Sequence, residues 1–576
     1  MRTRTLAPAL VRRLDPRGWD ATDRFVALAV VAVLLGPVIA VLRALGNDWA
    51  PHGDDATVAL RTADVLDGRF PITGMRSTSG DGVDEGLATH HLGPLQFYLL
   101  ALPLALTGGA SAGIAVGGAL IAAIASVLTV VWARRLGGGL GVVVFTGGLI
   151  LAQWAIGPEA MFRPLNPYAP LLPTYLSLLL LWALARGDHR ALPPFVIAVS
   201  LIAQGNLAFV PLAVALALGA VALAVEPALR RRRSDHALVR LRSRTHRGRR
   251  VRPSPGVRAR IRSGRWALGL GILVWLPSIL EIFIHRPNNP TQLFRWATSG
   301  TGDPIGLAAG LRHLSLLAPL PHGGFRPYSG ELLTQGTSVG TAVGVAVLVL
   351  LAVISSGWRV PQGRASSVWP ARVALLANLG MVATASRLPE FPAAPYWVIT
   401  WLPVVAFTWA ALAWRGLAYL ENATPHLAPR IALPLAGGLV VAGLGAAVLS
   451  SQPRWAETRA MNTVARESVA DLGPGEGRHV KIVGLGFVPT LGAAPGVAWE
   501  AQRAGWNPHY LRAWPFTEDA EHLWGRSAPE GSDVLFITDS AEPDLMQGMS
   551  ASAYEVTTVE MEYREGTLGV YRDPGE

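Results

Sequence analysis

Of the 576 residues, 51% are hydrophobic and only 15% are charged, a balance that excludes an ordinary soluble globule and points to a polytopic membrane protein. The chain has no cysteine, which excludes disulfides, thiolate zinc sites and iron–sulfur clusters. A formal net charge of +11 does not make it a nucleic-acid binder, because the arginines gather between apolar runs instead of interleaving with aromatics on one polar face.

The first 24 residues carry Arg2, Arg4, Arg12, Arg13 and Arg17. No small-residue cleavage site follows the first apolar run, so Phe25 to Leu45 reads as a retained span and not a signal peptide. Further apolar runs are Ala112 to Ala133, Leu140 to Ile156, Ala169 to Ala185, Leu192 to Gln204, Leu207 to Val225, Trp266 to Ile284, Val339 to Ile354, Val373 to Ala385, Tyr396 to Trp414 and Ile431 to Leu449. Several approach the roughly 20 residues that cross the hydrocarbon. Together they predict an all-α polytopic domain of eleven spans over residues 25–450. Pro94 to Leu106 is apolar but short, and it is assigned to a re-entrant or interfacial helix. With that choice Arg134-Arg135, Arg186 with Arg190, Arg359 with Arg364, and Arg415 with Arg430 all share the cytoplasmic side with the N-terminus. The 226–265 loop joins them, with fifteen arginines against Glu226 and Asp235. It reads as a disordered cytoplasmic anchor attracted to anionic lipid head groups.

The opposite connections then face outward, together with the 451–576 tail. The tail is an ordinary soluble mixture with apolar runs at His479 to Gly484, Asp533 to Thr538 and Thr567 to Tyr571 and a helix around Val497 to Ala504, which predicts a small extracytoplasmic α/β domain. Gly484-Leu485-Gly486-Phe487-Val488-Pro489 begins like a dinucleotide fingerprint, but a proline stands where the third glycine should be, so a binding or packing module is the better reading.

Gly53-Asp54-Asp55-Ala56-Thr57 lies just past the first span and opens an amphipathic stretch to Leu66 that predicts a short interfacial helix. One aspartate can cap that helix; the second is then available as a general base or a cation ligand. Further along come Thr89-His90-His91-Leu92-Gly93-Pro94. Adjacent histidines point to different faces, and no third ligand has a metal-site spacing, so an imidazole hydrogen-bonding an anion competes with a plain surface histidine at a helix start.

Two aspartates after the first span, an interfacial helix, a basic position and Gly93-Pro94 leading into Phe97-Tyr98-Leu99-Leu100-Ala101 resemble the first outer loop of GT-C glycosyltransferases. The likeness is to the protein mannosyltransferase and aminoarabinose transferase branch. Asn166-Pro167-Tyr168, Gln204, Trp275-Leu276-Pro277 with Glu281, and Pro287-Asn288-Asn289 are similar to actinobacterial members of that group. Asp55 stands where the branch has Glu, and His90-His91 where it has a lysine. The resemblance covers approximately Phe25 to Pro395. It implies a polyprenyl-phosphate-linked sugar donor and a cell-envelope glycan, lipid or protein acceptor, with membrane lipids around the site and no nucleic acid. It requires no cofactor and leaves room for a divalent cation. Inverting transfer needs a carboxylate to take the acceptor's proton and cations to hold the departing phosphate. Asp54 and Asp55 are the candidates for the first, with the base placed at Asp54 by the resemblance; His91, Arg163, Arg295, Arg326 and Arg387 are candidates for the second. His90, Asn166, Gln204 and Glu281 complete the expected substrate-binding set. The rivals are a flippase for a lipid-linked saccharide, which would show repeated halves or midplane polar sites, and a non-catalytic envelope scaffold.

Overall fold

The structure is a computed structural model that describes residues 21–77, 89–238, 255–299, 304–317, 338–357, 368–388, 399–423, 428–449, 455–511, 528–539, 550, 552–561 and 566–574. Most of it is helical. Helix α1 (Ala21–Gly46) is followed by α2 (Asp54–Leu66), α3 (Leu95–Leu106) and α4 (Ser111–Ile156). Helix α4 is two arms. Gly138 takes φ 60 and ψ −147 inside it, and the Gln153 amide donates to Ser126 Oγ at 3.1 Å. In a straight helix those two residues would be about 40 Å apart at ~1.5 Å per residue, so the chain folds back at the Gly137-Gly138-Gly139 turn. Gly141 lies against the Ala133 carbonyl, where a Cβ would come within 2.6 Å. The break falls between the two apolar runs expected there.

The α4 arms form the centre of the bundle. Against them pack α1, α3, α5 (Leu171–Ala185), α13 (Trp401–Ala423) and α14 (Ala428–Leu449). The Gln153 amide also donates to the Val33 carbonyl at 2.9 Å, tying α1 to both arms at one buried point. The remaining helices are α6 (Leu192–Gly205), α7 (Val210–Leu238), α8 (Pro255–Ile284), α9 (Asn289–Thr298), α10 (Gly306–Arg312), α11 (Ser338–Ser355) and α12 (Trp369–Ser386). Among the described residues, five helices are long and apolar enough to cross a membrane. The described helices do not by themselves give eleven spans. Helix α3 spans 12 residues, about 18 Å against a ~30 Å hydrocarbon core.

The basic 226–265 stretch departs from expectation. Helix α7 continues to Leu238 and α8 begins at Pro255, so both flanks are helical; residues 239–254 lie outside the described residues. Arginine, alanine and leucine are good helix formers, and a helix leaving a bundle needs no core of its own.

At the C-terminus α15 (Trp455–Leu472) and α16 (Ala494–Arg503) cover a five-stranded sheet of order β2-β1-β3-β5-β4. Its strands are β1 (His479–Leu485), β2 (Asn507–Leu511), β3 (Asp533–Thr538), β4 (Tyr554–Met561) and β5 (Gly566–Asp573). β1 pairs in parallel with β2 and β3, whereas β5 runs antiparallel to β3 and β4. The apolar runs at β1, β3 and β5 mark this sheet in the sequence. β2 and β4 lack such a run: Asn507-Pro508-His509 is polar, and β4 is a largely solvated edge.

The C-terminal unit is docked on the face that carries α2. Trp455 stacks on Phe162 with ring centroids 6.4 Å apart, and Trp49 meets the same Phe162 edge-on at 5.5 Å. The Asn462 amide donates to the Asp48 carbonyl at 2.7 Å, and the Trp499 indole N–H donates to Ser111 Oγ at 2.8 Å.

Candidate active site

Helix α2 starts under constraint. Gly53 is its N-cap with φ 53, a left-handed conformation that glycine adopts without strain. Its N–H donates to the Gly492 carbonyl at 2.8 Å, and a Cβ there would lie 2.9 Å from the Leu491 carbonyl oxygen. The expectation of an aspartate cap is therefore corrected: no side chain caps this helix, and Asp54 and Asp55 occupy its first turn. Carboxylates are favoured there by the aligned peptide dipoles.

The two aspartates differ in setting. Asp54 is partly exposed, while Asp55 is fully buried. Asp55 Oδ2 accepts from Arg163 Nε at 2.6 Å, and Arg163 Nη1 donates to Glu159 Oε2 at 2.9 Å. The guanidinium also lies 5.9 Å from the centre of the Tyr168 ring. Asp55 Oδ1 is buried without a hydrogen-bond partner among the described residues. Burial dominates and pushes the Asp55 carboxyl up to about 6 despite the adjacent arginine. Burial alone would weaken the Arg163 cation, but the Asp55 and Glu159 carboxylates outweigh it and hold that guanidinium charged. Burial raises Tyr168 to about 12. It also lowers His52 to about 4, with help from the Arg163 charge. The result is a cation flanked by two carboxylates, one dry and one wet, beside a partly exposed third.

A second cluster forms around His90 and His91. The Asn289 side chain brackets the His90 backbone, accepting its N–H at 2.9 Å and donating to its carbonyl at 3.0 Å. Glu281 Oε1 accepts the Asn289 N–H at 2.6 Å. His91 Nδ1 accepts the Leu207 N–H at 3.2 Å, so the neutral ring carries its proton on Nε2. Burial, aided by His90, lowers His91 to about 3 and keeps it neutral. Gln204 accepts the Leu95 N–H at 3.1 Å and donates to the Val274 carbonyl at 3.0 Å. Gln204, Glu281 and Asn289 thus pin the segment between α2 and α3 onto α6 and α8. The Gln96 amide joins the two clusters by donating to the Pro164 carbonyl, next to Arg163.

The other sequence candidates lie elsewhere. Asn166 is buried in the turn before α5, its carbonyl facing Gly205. Arg295 ends α9 and Arg387 follows α12; both are exposed, and among the described residues no ion pair ties them to either cluster. Arg326 lies outside the described residues. No group of three or more His, Cys, Asp or Glu fit to hold a metal ion occurs among the described residues, and the Asp55 and Glu159 carboxylates are both bonded to Arg163. Sequence reasoning passed over Glu159 and His52, and it met Tyr168 only within Asn166-Pro167-Tyr168. The Glu159–Arg163 spacing of i, i+4 was the one signal available.

No protein-family model matches the sequence, and no curated protein does. Among solved structures, ArnT from Cupriavidus metallidurans bound to undecaprenyl phosphate is matched with a TM-score of 0.50, at 12% identity, over 96% of this chain and 98% of that one. The chain has an ArnT-like fold. ArnT from the same organism in the apo state matches at 13% identity with a TM-score of 0.32, covering 98% of each chain. The Archaeoglobus fulgidus oligosaccharyltransferase in complex with zinc and sulfate matches at 11% identity with a TM-score of 0.34, covering 89% of this chain and 67% of that one. Scores that low add nothing to the first. At 12% identity the likeness to ArnT is one of fold, and the narrower branch and the actinobacterial likeness rest on the short motifs alone.

Proposed function

We propose that the chain is an integral-membrane glycosyltransferase of GT-C type. It moves a sugar from a polyprenyl-phosphate donor to a cell-envelope acceptor on the extracytoplasmic face. The observation that carries this reading is the buried Asp55–Arg163–Glu159 group placed at the start of α2, with Asp54 partly exposed beside it. The solved ArnT with this fold holds undecaprenyl phosphate, which supports a donor of that class.

In the proposed step an acceptor hydroxyl oxygen bonds to the anomeric carbon as the bond from that carbon to the phosphate oxygen breaks. The lipid phosphate leaves with the electron pair, and the hydroxyl proton passes to Asp54. Asp55 is too buried to meet an acceptor; its carboxylate fixes Arg163, whose remaining N–H groups and charge stabilise the departing phosphate. His91, with its proton on Nε2, can donate to the same phosphate or to a sugar hydroxyl. Arg295 and Arg387 lie outside both clusters, so the phosphate contact proposed for them and for Arg326 rests on the resemblance alone. Gln204, Glu281 and Asn289 position the His90–Pro94 segment and act through it.

The test uses purified full-length protein in detergent, a polyprenyl-phosphate donor with radiolabelled sugar, and a cell-envelope extract. Label should appear in the extract with the natural chain and not with Asp54→Asn. No transfer by the natural chain, or full transfer by Asp54→Asn, would overturn the assignment.

A further inference from the structure

β1 lies between β2 and β3, and all three run parallel. The chain leaves β1 on one side to form β2 and returns to the other side to form β3. In an open α/β sheet such a reversal leaves a crevice beyond the carboxyl ends of the strands that flank it, where these sheets receive ligands. Its edges here are Gly486 and Phe487 after β1 and Asp539 after β3.

Gly486 has φ 105, and a Cβ there would lie 2.5 Å from Asp539 Oδ1, so the carboxylate sits directly over the glycine backbone. A carboxylate in that place repels a phosphate, which accounts for the broken dinucleotide fingerprint. Among the described residues Asp539 has no hydrogen-bond partner. Phe487 beside it is 68% exposed, although it follows a strand whose alternate residues are buried. An aromatic face next to a carboxylate suits a sugar ring: the apolar C–H face stacks on the aromatic, and the hydroxyls donate to the carboxylate oxygens. The same segment runs into the Pro489–Ala493 turn that abuts Gly53. Gly492, whose carbonyl accepts the Gly53 N–H at the start of α2, is five residues beyond Phe487, ~7.5 Å of rise at ~1.5 Å per residue.

We infer that Phe487 and Asp539 form a subsite for a sugar unit of a glycan acceptor, presented to the start of α2. The assignment of an acceptor rests on the transferase reading above; the sugar subsite does not.

The test is direct binding, with no donor and no turnover, of fluorescently labelled neutral oligosaccharides released from the cell envelope by mild acid. They are titrated onto the full chain in detergent. The natural chain should bind saturably, Phe487→Ala and Asp539→Asn should each weaken binding at least tenfold, and Phe487→Trp should restore it. Both side chains are at least partly exposed, so these variants are expected to fold; thermal unfolding checks that. Unchanged binding in Phe487→Ala and Asp539→Asn, or no binding by the natural chain, overturns the subsite. A chain that binds the oligosaccharide yet transfers no sugar overturns the transferase reading and leaves the subsite standing.

Discussion

Asp54 and Asp55 are adjacent in sequence and opposite in circumstance, and their substitution should separate them. Asp54→Asn should be made at normal levels, unfold at the natural temperature, and lose roughly 100-fold or more in transfer rate, the scale of a missing general base. Asp55→Asn instead removes the charged partner of Arg163, which keeps Glu159; because burial raises the Asp55 carboxyl, its ionised form costs folding stability, so the neutral amide should keep stability at neutral pH and lower turnover by freeing Arg163. Thermal unfolding with single-turnover transfer tests both; a dead Asp55→Asn of full stability beside an active Asp54→Asn would reverse the roles. A pH effect follows from the Asp55 carboxyl at about 6. Transfer needs the ionised form to hold Arg163, so the rate should fall as pH drops through about 6, and that limb should vanish in Asp55→Asn. Stability has the other sign. A carboxyl raised above its unfolded value near ~3.9 contributes stability that is present below that value and lost as pH rises through the folded one. A rate profile flat from pH 5 to 8 would remove Asp55 from the step.

Helix α2 is the element on which the site depends, and its entry and exit are both held from elsewhere. Gly53 admits no side chain against the Leu491 carbonyl; Gly53→Ala should cost about 1–3 kcal/mol through positive-φ strain and the close approach, and should shift the first turn with its two aspartates. Asn289 both accepts from and donates to the His90 backbone. Asn289→Asp keeps the shape but loses the donor, so it should lower both stability and turnover, whereas Asn288→Asp at the half-buried neighbour should leave turnover unchanged. Equal turnover in all three variants would mean that neither contact positions the site. The boundaries of α2 and α3 were legible because the apolar spacing and Gly93-Pro94 mark them. The bracket from Asn289 was not, since 199 residues separate it from His90 and nothing local in either segment names the other.

At the scale of the whole molecule, the distribution of arginine sets the orientation. The basic connections are predicted to be cytoplasmic and the 451–576 unit extracytoplasmic, because that arrangement alone keeps Arg134-Arg135, the 226–265 stretch and Arg415 on one side. Reporter fusions check it: a cytoplasm-active reporter that works after Glu576 and fails after Arg250 would overturn the topology.

Composition and apolar periodicity were enough to establish a helical membrane protein with a polar C-terminal sheet unit, because burying apolar surface in lipid is a property of each segment by itself. The gap between the Ala112 to Ala133 and Leu140 to Ile156 runs and the start of α2 were legible for the same reason: charged residues interrupt an apolar pattern locally. Which aspartate is dry, which cation it holds, and which carboxylate lies over Gly486 were decided by tertiary structure. Burial and ion pairing depend on groups brought together from distant segments, as Arg163 is brought to Asp55 across 108 residues. The desolvation that raises one carboxyl and spares its neighbour arises only once those segments are packed.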